Sequence, residues 1–158
     1  MKYKKIILIS FAGLLAACTE PNSNENKTGV EPVIQTASIN KVKRVKDFAQ
    51  ITRGGKVFQK NCISCHGANA EGQSNWKQTD ANGKYPAPPL NGTGHAWHHT
   101  NAVNTNSIKN GTIHLGGSMP AWKDKLSDQE ISDVIAWFQS KWTDKVYWTW
   151  YEKVEKSK

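Results

Sequence analysis

The chain has 158 residues, enough for one domain of ordinary size with extended ends. Hydrophobic residues make up 37% and the mean hydropathy is -0.64, which excludes a bundle of membrane-spanning helices and leaves a small water-facing core. A formal charge of +8, from 21 Lys and Arg against 13 Asp and Glu, favours acidic partner proteins or anionic lipid. The three cysteines, Cys18, Cys62 and Cys65, are an odd number and argue against a disulfide framework. Seven tryptophans suit a core built around a large flat group, although Trp also packs well against protein.

In chain order, Lys2, Lys4 and Lys5 precede an apolar run from Ile6 to Ala17. That is the charge-then-apolar pattern of an export signal, and it is too short for an ordinary spanning helix. The run ends Leu15-Ala16-Ala17-Cys18, which resembles the lipobox of bacterial lipoproteins. The resemblance implies a signal peptide over 1–17, cleavage before Cys18 and lipidation of that cysteine. A plain signal peptide with Cys18 nearby by chance is the alternative. Thr19, rather than Asp, follows Cys18, which favours the outer membrane in enterobacterial-type sorting. Loss of 1–17 removes three lysines and no acid, so the net charge falls from +8 to +5. Export also leaves nucleic acid out of the expected partners. Residues 18–46 are rich in Asn, Glu, Thr, Pro and Ser and read as a flexible tether. Its reach is roughly 5–6 Å times the square root of its length.

The chemistry begins at Asn61-Cys62-Ile63-Ser64-Cys65-His66-Gly67, which contains C-x-x-C-H, the attachment signature of c-type haem. Residues three apart at a helix end share a face, so two thiols can add to the two vinyl groups of one porphyrin. The next residue, His66, then points its imidazole at the iron. A thioredoxin-like pair or half a zinc site would also use C-x-x-C. No βαβ pattern surrounds this one, and no second C-x-x-C exists.

From about Asp47 to Trp142 the sequence resembles class I cytochromes c. Gly54 and Phe58 stand eight and four residues before Cys62, where the family carries a glycine and an aromatic. The resemblance implies that Gly54 allows close crossing by the C-terminal helix and that Phe58 packs behind the haem. Ala87-Pro88-Pro89-Leu90-Asn91-Gly92 resembles the family's P-x-L segment. A prolyl carbonyl there accepts a hydrogen bond from the ligand histidine and raises its donor strength. Spacing assigns this role to Pro88, with Pro89 the neighbouring alternative, and Leu90 would touch the porphyrin. Gly116-Gly117-Ser118-Met119-Pro120 resembles the Met-Pro loop that supplies the sixth ligand, which makes Met119 the axial thioether. His114 is a minor alternative ligand.

A helix is predicted over about Asn101 to Lys109. Another is predicted from Ser127-Asp128-Gln129-Glu130, a capping box, with Leu126 and Ile131 as its hydrophobic staple. Ile131, Val134, Ile135 and Phe138 then recur at helical spacing. No strand pattern appears. The expectation is an all-α, small class I cytochrome c fold over 47–142, with helices packed around one covalent haem.

Two features stand apart. Gly94-His95-Ala96-Trp97-His98-His99 holds three of the five histidines. His95 and His99 are four apart and, on a helix, would share a face able to bind copper or zinc. The other reading packs the segment beside the haem, with Trp97 and a histidine bonding its propionates. Residues 143–158 form an aromatic and basic tail holding Tyr147, Trp148, Trp150 and Tyr151. It reads either as a terminal turn wrapped on the domain or as a partner or membrane patch.

The function implied is a lipid-anchored carrier of single electrons on the periplasmic side of a bacterial membrane. It is not itself an enzyme, although a place in a larger oxidoreductase is open, and it would dock on acidic surfaces of redox partners. The alternatives are a copper-handling accessory protein using His95, His98 and His99, and a haem enzyme or gas sensor if Met119 is not a ligand.

Overall fold

Asp47 starts the first helix by accepting a hydrogen bond from the Gln50 amide at 3.0 Å. In the computed structural model, which describes Arg44 and residues 46–157, this helix is α1, Phe48–Asn61. The signal segment 1–17, Cys18 and nearly all of the tether lie outside the described residues. A single helical turn, α2 (Ile63–His66), continues from α1 and stops at Gly67, whose φ of 75° few other residues adopt. Thr100 caps α3, Asn101–Asn110. Ser127 and Glu130 form the expected reciprocal capping box of α4, Asp128–Ser140. Leu126 and Ile131, the two staple residues, are both buried. Thr143 caps α5, Asp144–Trp150, which runs into a wider turn over Tyr151–Glu155. Among the described residues there is no β-strand, only an isolated parallel bridge between Tyr85 and Gly117. The class is all-α, as the sequence patterning predicts.

The crossing of α1 and α4 organises the domain. α1 buries Gly54 and Phe58, one turn apart on one face. A Cβ at Gly54 would collide with the Asp133 carbonyl oxygen and lie 2.9 Å from the Trp137 Cβ, so only glycine permits this approach. One turn on, Phe58 stacks on Trp137 with ring centroids 4.1 Å apart. Burying a side chain of this size contributes roughly 1.5–3 kcal/mol. The crossing is locked by Asp133, which is buried on α4. Its carboxylate receives Arg53 Nε at 2.7 Å, Arg53 Nη2 at 3.1 Å and Gln129 Nε2 at 2.8 Å. Below the crossing, Ile131, Ile135, Phe138, Trp142 and Trp150 form the main apolar cluster.

The aromatic tail is wrapped on the domain. Trp150 is buried, sets its ring edge to face against Trp142 and donates its indole N–H to the His99 carbonyl at 2.9 Å. The Glu155 carboxylate accepts the Asn101 amide at 2.8 Å, where the exposed N–H groups of α3 favour negative charge. Arg44 closes the other end. It donates to the Trp142 carbonyl at 3.2 Å and to the Gln139 carbonyl, and its guanidinium stacks 3.8 Å from the Tyr147 ring centre.

Two outcomes test this packing. Gly54→Ala should push α1 off α4 and lower stability by about 1–3 kcal/mol, the range for overpacking a tight contact, read as a drop in the urea midpoint. The hydrogen bonds from Arg53 hold the Asp133 carboxyl below the usual carboxylate range. The stability this lends is therefore present above the unfolded pKa of about 3.9 and lost as pH falls through the lower folded value. Arg53→Gln should destabilise the protein at pH 7, and the gap from wild type should close as pH falls below the unfolded value of about 3.9.

Candidate functional site

The C-terminal end of α1 presents Cys62, and the one-turn α2 places Cys65 and His66 immediately after it. The His66 and Cys65 amides both return to the Cys62 carbonyl, at 2.9 and 3.2 Å. Cys62 is half-buried and Cys65 exposed, and neither is in a disulfide. Burial, reinforced by the neighbouring Cys65, pushes the Cys62 thiol up to about 11. A thiol so placed is protonated at neutral pH, the reverse of an activated redox or nucleophilic cysteine.

His66 is buried, and its Nδ1 lies 3.0 Å from the Pro88 carbonyl oxygen. A carbonyl only accepts, so Nδ1 carries the proton and Nε2 keeps its lone pair. Burial also holds His66 below the usual histidine pKa, which favours the neutral imidazole that binds metal. Of the two adjacent prolines, Pro88 therefore faces the histidine. The Pro89 carbonyl instead lies against Gly94, where a side chain would meet it.

His66 opens on a cavity of about 630 Å³, whose walls include Cys65, Pro88, Leu90, Met119 and Phe138. A contiguous recess of about 50 Å³ shares His66, Leu90 and Met119 and adds Phe58 and Cys62. Protein interiors are close-packed with few voids larger than a water, and cofactor sites run from about 300 to 1,000 Å³. The donor set fits a c-type haem: two thiols at the rim, one buried neutral imidazole and one thioether, around an apolar space. Met119 is half-buried, and its carbonyl accepts the Thr112 amide at 2.9 Å. Leu90 is fixed by its own amide on the Ala70 carbonyl and by Trp142 Nε1 on its carbonyl, both at 2.8 Å.

The histidine segment folds differently from a helix. Ala96–His98 is a single 3-10 turn, with His95 and His99 at its two ends. His95 and His99 line the cavity with rings 5.4 Å apart, edge to face. His98 turns to the other side, against Trp97 at 4.0 Å. Among the described residues no three of His, Cys, Asp and Glu come together as a metal site, so the three-histidine copper cluster does not form. Trp97 is not among the cavity residues and packs against the main apolar cluster. His114 is exposed and also off the cavity.

Sequence reading missed Trp76, which stacks on His95 at 5.3 Å, with Lys77 beside it and Tyr85 further along the wall. A lone Trp in the polar stretch between the cysteine motif and the prolines was the only available signal. His95 sits below the usual histidine pKa through burial first, then through the nearby His99 and His98.

Comparison with known proteins agrees with this geometry. Residues 49–138 match the family described as cytochrome c oxidase, cbb3-type, subunit III. The chain is 31% identical over 144 residues to cytochrome c-551 of Bacillus subtilis, covering 89% of this chain and 99% of that protein. It is 33% identical to cytochrome c6 of Leptolyngbya boryana over 59% of this chain and 94% of the relative. It is also 32% identical to the cbb3-type oxidase subunit CcoP of Azospirillum brasilense, over 60% of this chain. The chain spans only 30% of that subunit's length. No solved structure gives a significant match. The haem-binding motif, the helical fold around it and these relatives together place the chain in the class I c-type cytochromes, monohaem carriers of single electrons.

Proposed function

We propose that this cytochrome is tethered through lipidated Cys18 on the periplasmic side of a bacterial membrane, where it passes electrons to or from a respiratory oxidoreductase. In this reading Cys62 and Cys65 hold one haem c by thioethers, and His66 and Met119 are its axial ligands. The observation that carries the reading is the His66–Pro88 hydrogen bond, with Met119 on the wall of the same cavity.

Haem, when bound, supplies a reversible one-electron couple. The protein's part is to orient and shield. Pro88 fixes the His66 tautomer and ring, and increases the donor strength of Nε2. The Met119 thioether favours the reduced state and raises the potential relative to a second histidine. His66 and Met119 together would hold the iron and leave no open place for oxygen or peroxide to bind. Phe58, Leu90 and Phe138 exclude water from the site, while exposed Cys65 marks the edge nearest solvent. The basic balance of the mature chain favours partners with acidic docking surfaces. Likeness to a domain of CcoP supports a membrane oxidase as partner.

Met119→His should lower the midpoint potential by on the order of 0.1 V or more, inside the ~0.8 V range that axial ligands span. An unchanged potential in a redox titration would remove Met119 from the ligand set. Cys18→Ser should move the protein from the membrane to the soluble fraction while leaving its absorption spectrum intact. Retention in washed membranes would show that something other than Cys18 holds it there.

A further inference from the structure

The segment between the cysteine motif and the prolines, Glu71 to Tyr85, has no part in the reading above. Its last turn is ordered by Asp80. The Asp80 Oδ1 accepts the amides of Asn82 at 2.8 Å and Lys84 at 2.9 Å, and the Asp80 amide donates to the Lys84 carbonyl at 2.8 Å. That turn delivers Tyr85 to the methionine loop. The Tyr85 amide donates to the Gly116 carbonyl at 3.0 Å. The Ser118 hydroxyl donates to the Tyr85 carbonyl at 3.1 Å. Tyr85 and Gly117 form the isolated parallel bridge. Both main-chain groups of Tyr85 are thus satisfied by the residues just before Met119. Three residues after Tyr85, the same stretch of chain presents the Pro88 carbonyl to His66.

The rest of the loop needs this support. Leu115 lines the cavity and Ile113 is 55% exposed, so the loop has little apolar packing against the rest of the chain. Thr112 ties it internally, donating to Met119 and accepting from Gly117, each at 2.9 Å. Gly117 has no room for a side chain against the Thr112 hydroxyl, and a Cβ at Gly111 would lie 2.6 Å from the Met119 carbonyl oxygen. Among the described residues, the bonds from Tyr85 to Gly116 and from Ser118 to Tyr85 are the hydrogen bonds that join residues 113–118 to chain outside the loop.

We propose that Tyr85 and Ser118 form a strap that sets the Met119 loop and the His66–Pro88 segment in one frame, with Ser118 a positioning residue for the thioether. The proposal rests on Met119 being the axial ligand. Without the strap the 113–118 loop keeps only its internal bonds, and the thioether detaches more often. The Ser118 bond is neutral and exposed to water, so its loss should favour the detached state by about three- to tenfold.

The test uses the mature haem-loaded protein, wild type, Ser118→Ala and Ser118→Thr. Carbon monoxide competes with the thioether at reduced iron, so its affinity reads how often Met119 is off. Ser118→Ala should bind carbon monoxide about three- to tenfold more tightly, with an unchanged urea midpoint by far-ultraviolet circular dichroism. Ser118→Thr, which keeps the hydroxyl, should restore wild-type affinity. Tyr85→Pro, which removes the amide donor to Gly116 together with the tyrosine side chain, should act in the same direction as Ser118→Ala. Wild-type affinity in Ser118→Ala, or tighter binding matched by an equal loss of global stability, would overturn the strap. If oxidised wild-type protein lacks the weak far-red band of sulfur-bound iron, the axial role of Met119 fails and the strap falls with it. A normal band with an unaltered Ser118→Ala affinity removes the strap alone.

Discussion

The hydrogen bond between His66 and the Pro88 carbonyl is the joint on which this protein's chemistry depends. It links two segments 22 residues apart in sequence and leaves one imidazole nitrogen free toward the cavity. A buried histidine without that acceptor would have to orphan its N–H or rotate, and either outcome would take the lone pair off its line. The cost of burial works in the same direction, because it disfavours the charged ring and keeps the metal-binding form.

The remaining architecture holds that joint in place. The missing side chain at Gly54 lets α1 lie directly on the backbone of α4. This fixes where α1 ends and therefore where Cys62, Cys65 and His66 emerge. Phe58 extends the same contact toward the cavity and lies 6.5 Å from the His66 ring. On the far side, Trp150 and Glu155 brace the His99–Asn101 corner, so the C-terminal helix supports one wall of the cavity. The tail, for which the sequence leaves open a wrapped terminal turn or a partner patch, is structurally continuous with the site it helps to shape.

Local signals were legible in the sequence. The C-x-x-C-H motif, the Ser127–Glu130 capping box, the apolar stripe from Ile131 to Phe138 and the start of α3 each depend on residues within a turn or two of one another. Pro88 was legible through resemblance and spacing. What sequence did not give depends on contacts between distant segments. The bond from Trp150 to His99 spans 51 residues, and no local pattern distinguishes a tryptophan that will be buried from one that will meet a partner. Of the two readings of the histidine segment, the copper cluster fails for want of a third ligand, because His95 and His99 approach to 5.4 Å without a helix but His98 does not join them. Here one 3-10 turn sets the His98 ring against Trp97, off the cavity wall that His95 and His99 line. The same turn sends Trp97 into the apolar cluster. The bridge at Tyr85 is an isolated backbone pairing, with no side-chain periodicity to announce it.

The central chemistry is the covalent state of two sulfurs, those of Cys62 and Cys65. Mass spectrometry of the tryptic peptide spanning residues 61–77, from protein matured in an exporting cell, reads that state without reference to fold or activity. This peptide should carry the added mass of one haem and have no thiol available for alkylation. Recovery of the peptide unmodified, with Cys62 and Cys65 both alkylated, would contradict it.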